Sequence, residues 1–102
     1  MIHVIAVITA KPGLREQVLE AFRANMPAVR AEAGCVEYGA AIDVGDGLPT
    51  QAKYGADAFV VFEKWETMDA LKAHAKSPHM AAYSAKTREL VAERRIRVLH
   101  PV

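Results

Sequence analysis

FVVFEKWETMDALKAHAKSPHMAAY, residues 59–83, sets an apolar strand directly ahead of two helical runs. Ala58 to Trp65 has the apolar, aromatic character of a strand. Thr67 then stands where a helix N-cap is expected, and Met68, Leu71 and Ala75 give a short helical stripe. Ser77-Pro78 breaks that run and starts another, with Pro at the first helical position. Met80, Tyr83, Thr87, Leu90 and Val91 continue it as a helix. The only Trp of the chain, two of its four His and one of its three Tyr fall in this segment. Polar-tipped side chains gathered beside apolar surface imply a lined pocket rather than plain core.

Working outward, Ile2 to Thr9 is a β-branched strand ended by the turn Lys11-Pro12-Gly13. Leu14, Val18, Phe22, Met26 and Val29 form one helical stripe, with a kink expected near residues 22–25 because Pro27 removes a backbone donor. Gly34 reads as the helix stop. Cys35 to Asp43 is a second strand, Gly45 to Asp57 a loop, and Arg95 to His100 the last strand. The order β-α-β-β-α-β, with its second helix split at Ser77, is that of an α+β, ferredoxin-like split βαβ. Its antiparallel sheet would carry the helices on one face. The 102 residues form a single domain without repeats.

Both faces of the first strand are apolar: Ile2, Val4, Ala6 and Ile8 on one side, Ile5 and Val7 on the other. Phe59 and Val61 likewise oppose Val60 and Phe62. Helices cover one face of such a sheet, and a wet second face would alternate with polar residues. A homodimer through the free sheet face is therefore expected. The net charge of +1 gives no bulk attraction to nucleic acid or an anionic membrane. The apolar runs are shorter than the roughly 18 residues a membrane helix requires. MIHVIAV lacks the features of a signal peptide and Cys35 is the lone cysteine, which together lead us to expect a cytoplasmic protein.

Several of these residues, read together, resemble the antibiotic biosynthesis monooxygenase family: Ala33-Gly34-Cys35, Tyr38, Phe62-Glu63-Lys64-Trp65, Ala70-Leu71, His74 and Ser77-Pro78-His79. The resemblance covers Ile2 to about Leu99. It implies a dimeric α+β barrel and cofactor-independent oxygenation of a quinol or polycyclic phenol. The loop at residues 45–57 is longer than the hairpin of many members.

Such an oxygenase needs an apolar cavity, a base for the substrate hydroxyl and a donor for the developing oxyanion. His74 is one candidate base, in a position where the family pattern has a His. His79 is the other, in the first turn of a helix whose positive end favours a neutral ring. Tyr83, one turn beyond His79, is a candidate donor. Trp65 and Tyr38 are candidate substrate contacts, with core packing as the alternative for Trp65. Glu63 shares a sheet face with Trp65 and either orients a histidine or pairs with an arginine. No metal and no cofactor are expected: the two His lie five residues apart, about 140° round a helix that Pro78 breaks, and Cys35 is distant in sequence. The alternative function is a non-catalytic barrel that binds a small hydrophobic ligand. Haem degradation and isomerisation of a small ketone fit less well. The first strand has no Asn for the former, and the lysines are scattered for the latter.

Overall fold

A computed structural model describes residues 1–102. The elements are β1 (Ile2–Ala10), α1 (Arg15–Arg30), β2 (Cys35–Ala41), β3 (Ala58–Trp65), α2 (Met68–Ala75), α3 (Pro78–Thr87) and β4 (Val91–Leu99). The four strands form one antiparallel sheet in the order β2-β3-β1-β4, the ferredoxin-like arrangement. Val4, Ala6, Ile8, Phe59 and Val61 point into a core closed by Val18, Leu19, Phe22 and Val29 of α1. The opposite face carries Ile5, Val7, Val60 and Phe62, all half-buried, so the sheet is apolar on both sides. Glycine at position 39 makes room there, since a Cβ would meet the Phe62 ring at 2.7 Å.

The largest differences from the boundaries read in the sequence lie at α3 and β4, while β2 ends two residues early, at Ala41 rather than Asp43. The helix expected to reach Val91 ends at Thr87, and the strand expected to begin at Arg95 begins at Val91. Ala92-Glu93-Arg94 has fair helix propensity, but β1 pairs with β4 from Ala10 opposite Val91 to His3 opposite Leu99. Tertiary pairing overrides local preference. The helix α1 also continues unbroken through Pro27.

Gly34 ends the α1–β2 turn with φ of +82°, a left-handed conformation that costs an L-residue about 1–2 kcal/mol. A Cβ at this position would lie 2.6 Å from the Ala70 Cβ of α2. Gly34→Ala is therefore expected to destabilise the fold by roughly 2–4 kcal/mol, strain and overpacking together. Thermal denaturation checks it, and an unchanged midpoint would contradict the close approach of α2 to this turn.

The segment between β2 and β3 forms no helix or strand. It is closed at its base by Asp43, whose two carboxylate oxygens accept from the Tyr54 and Gly55 amides at 3.1 and 2.9 Å. Those amides, Gly55 first, hold the carboxyl below the usual aspartate range. Tyr54 lines a hollow with Val7, Thr9, Arg95 and Arg97, so the loop reaches round to the helix-free face.

Candidate active site

The helix ends and the sheet converge beside the α1–β2 turn. Thr67 caps α2 by accepting from the Ala70 amide at 3.1 Å. Ser77 occupies the N-cap position of α3 without capping through its side chain. Its hydroxyl instead donates to the His74 carbonyl at 2.8 Å and sits 3.2 Å from His79 Nε2. Ser77-Pro78 thus ends one helix and turns the next so that both imidazoles face one carboxylate. Glu32 Oε2 accepts from His74 Nδ1 at 2.8 Å and from His79 Nε2 at 3.0 Å. A carboxylate accepts only, so each facing nitrogen carries its proton, and in the neutral ring this assigns the lone pair of His79 to Nδ1.

Behind this bridge the network runs into the core. His74 is 5% exposed, its ring 4.7 Å from the Trp65 ring and 5.7 Å from that of Tyr38. The Trp65 indole donates to Glu63 Oε1 at 2.8 Å, and His74 Nε2 lies 4.0 Å from the same oxygen. Glu63 bonds to the Trp65 indole and faces His74 beyond hydrogen-bond length, and it makes no ion pair with an arginine. Burial pushes the Glu63 carboxyl above the usual glutamate range; the Trp65 bond and His74 pull it back in part. Burial likewise raises the Tyr38 phenol strongly. Cys35 also rises, from burial and then from the charges of Glu32 and Glu63, which leaves it a weak nucleophile.

His79 is the member of the network that meets solvent, with 29% of its side chain exposed. It lines a cleft of about 200 Å³ between α1 and α3 together with Ala21, Asn25, Tyr83 and Lys86. Tyr83 is raised by burial and lowered by the Arg94 guanidinium. Of the residues singled out in the sequence, His79 and Tyr83 therefore share the open cleft. His74, Trp65, Glu63 and Tyr38 form a buried cluster behind it. Wider hollows of about 380 and 450 Å³ run along the β2 edge and include only Tyr38 of that set.

Glu32 was not legible as a site residue. It stands in a short turn, 42 positions from His74, and no spacing rule connects them. The separation of the two His expected from Pro78 is also overturned, because the helix break is what aims both rings at Glu32.

Tyr38, Glu63, Trp65, His74, Ser77 and His79 of this network are among the residues that carried the resemblance, and a family comparison agrees. The model of the antibiotic biosynthesis monooxygenase family matches residues 1–86. The chain belongs to the antibiotic biosynthesis monooxygenase family. It is 39% identical to a protein of Escherichia coli named "Probable quinol monooxygenase YgiN", over 99% of this chain and 98% of that one. Among solved structures it is similar to PA3566 of Pseudomonas aeruginosa, with 29% identity, a TM-score of 0.82 and coverage of 99% and 93% of the two chains. Rv0793 of Mycobacterium tuberculosis is alike at 29% identity and a TM-score of 0.80, covering 99% of this chain and 94% of that one. No helix of the chain is long and apolar enough to cross a membrane.

Proposed function

We propose that this monooxygenase-family chain oxidises a small quinol with dioxygen without a cofactor, using His79 as the base. The observation that carries the reading is the Glu32 carboxylate 3.0 Å from His79 Nε2, at the wall of a cleft. A carboxylate that holds one ring nitrogen as N–H leaves the other as the proton acceptor and stabilises the imidazolium that forms. The quinol loses its hydroxyl proton to His79, and the quinolate gives an electron to dioxygen. Recombination forms a ring C–O bond. The peroxide takes the proton back from His79, and the hydroperoxide then loses water to leave a hydroxyquinone with one oxygen atom of dioxygen on the ring, all four electrons having come from the quinol. Tyr83 is the proposed hydrogen-bond donor to the developing oxyanion. Trp65, Glu63 and Tyr38 support His74 from behind rather than stacking on substrate. A cleft of about 200 Å³ lies below the ~300–1,000 Å³ of sites for drug-sized ligands, which favours one or two rings over a polycyclic phenol.

Oxygen uptake with a panel of benzene- and naphthalenediols and anthrones tests this. Uptake is expected with the one- and two-ring diols and should survive a chelator. No uptake with any substrate, accompanied by binding of an apolar dye, would replace this reading with that of a hydrophobic-ligand binder.

The assembly we propose is a homodimer with the helix-free sheet faces packed together. Ile5, Val7, Val60 and Phe62 support it, because leaving such side chains in water forgoes roughly 1.5–3 kcal/mol each. Sedimentation at micromolar concentration is expected to give a dimer, with Phe62→Lys shifting it to monomer. A monomeric parent chain would remove the sheet-to-sheet packing.

A further inference from the structure

We propose that Glu32, His74 and His79 form a binding site for one divalent d-block cation of the zinc or cobalt class. The carboxylate oxygen and the two imidazole nitrogens lie within 4.8 Å of one another. Two contacts, 2.8 and 3.0 Å, are hydrogen-bond lengths. Bonds of about 2.0–2.1 Å to a tetrahedral cation would set ligand atoms roughly 3.3 Å apart, so the ligand atoms must draw together by up to about 1.5 Å as Glu32 swings aside. Two imidazoles and one carboxylate are a donor set for borderline cations, not for magnesium or calcium.

Two further features mark a built site. The three side chains are shielded, with 14%, 6% and 29% of their surface exposed for Glu32, His74 and His79. The second nitrogen of His74 faces a buried carboxylate, Glu63, at 4.0 Å, and Trp65 Nε1 holds that carboxylate at 2.8 Å. A ligating histidine usually has its other N–H directed at a carboxylate in this way. With a cation bound at Nδ1, the His74 proton moves to Nε2 and meets Glu63. The fourth position falls to Ser77 Oγ, 3.2 Å from His79 Nε2, or to water from the cleft. The metal-bound and base forms of the site exclude each other, because a cation on His79 Nε2 leaves the ring proton on Nδ1; the inference is read on the metal and not on turnover, and one equivalent of cation is expected to stop oxygen uptake.

Cobalt titration of the metal-stripped chain tests it. Visible d–d bands of a four- or five-coordinate ion are expected to saturate at one equivalent per chain. Glu32→Gln, which keeps the side-chain volume, and His79→Ala, at a partly exposed position, should each abolish those bands. Glu63→Gln should weaken binding about 10–100-fold. His100→Gln, at a histidine outside the cluster, should change nothing. Absence of the bands at equimolar cobalt, or equal binding by wild type, Glu32→Gln and His79→Ala, would overturn the proposal.

Discussion

His79→Ala is expected to lower kcat for quinol oxidation by about 10²–10⁴-fold, the usual contribution of a positioned base. The ring is partly exposed in the first turn of α3, so its loss should leave the thermal midpoint close to that of the parent. Substrate contacts along the cleft persist, so KM should change little and the loss should appear in kcat and kcat/KM alike. Glu32→Gln separates positioning from charge. The amide can still meet one imidazole, but it no longer stabilises an imidazolium, and an intermediate loss in kcat is expected. His74→Ala differs in kind: its ring is packed between Trp65 and Tyr38, so destabilisation should accompany any fall in rate. Steady-state oxygen uptake together with thermal denaturation distinguishes the three variants. A His79→Ala enzyme within about threefold of the parent kcat would eliminate His79 as the base.

The second large effect concerns Trp65. It is fully buried, and its replacement by Ala should cost roughly 3–5 kcal/mol, a large share of the stability of a domain this size. Packing is only part of that. The indole N–H is the donor to Glu63, and Glu63 is 9% exposed with only a distant His74 nitrogen as a second partner. Trp65→Phe keeps most of the apolar contact yet strands the carboxylate, which should cost about 1–3 kcal/mol beyond the volume change. Adding Glu63→Gln to Trp65→Phe should recover part of the loss, because a neutral amide is cheaper to leave under-satisfied than a charge. Equilibrium urea unfolding of the two single variants and the double variant checks this as a coupling energy. Additive effects would show that Trp65 acts through packing alone, and that the buried network holds no energy of its own.

The β-α-β-β-α-β order, the two-sided strands and the Ser77-Pro78 break are all local matters. Periodicity, turn residues and caps act over a few positions, so they could be read without coordinates. The same holds for Glu63 and Trp65, two residues apart on a strand and bonded across one sheet face. The start of β4 was not legible in this way, since Ala92-Glu93-Arg94 becomes strand only through its partner β1.

The sequence by itself determined the fold class, the family and the list of polar-tipped residues near Trp65. Only the tertiary structure decided how that list divides. It buried His74 and left His79 at the cleft, because the α3 turn starts where α1 leaves a gap. It also recruited Glu32, which no pattern marked, because the α1–β2 turn ends where Gly34 lets α2 approach. The physical reason is range. Strand and helix preferences are short-range properties of neighbouring residues, whereas a carboxylate shared by two imidazoles depends on three chain segments meeting in space.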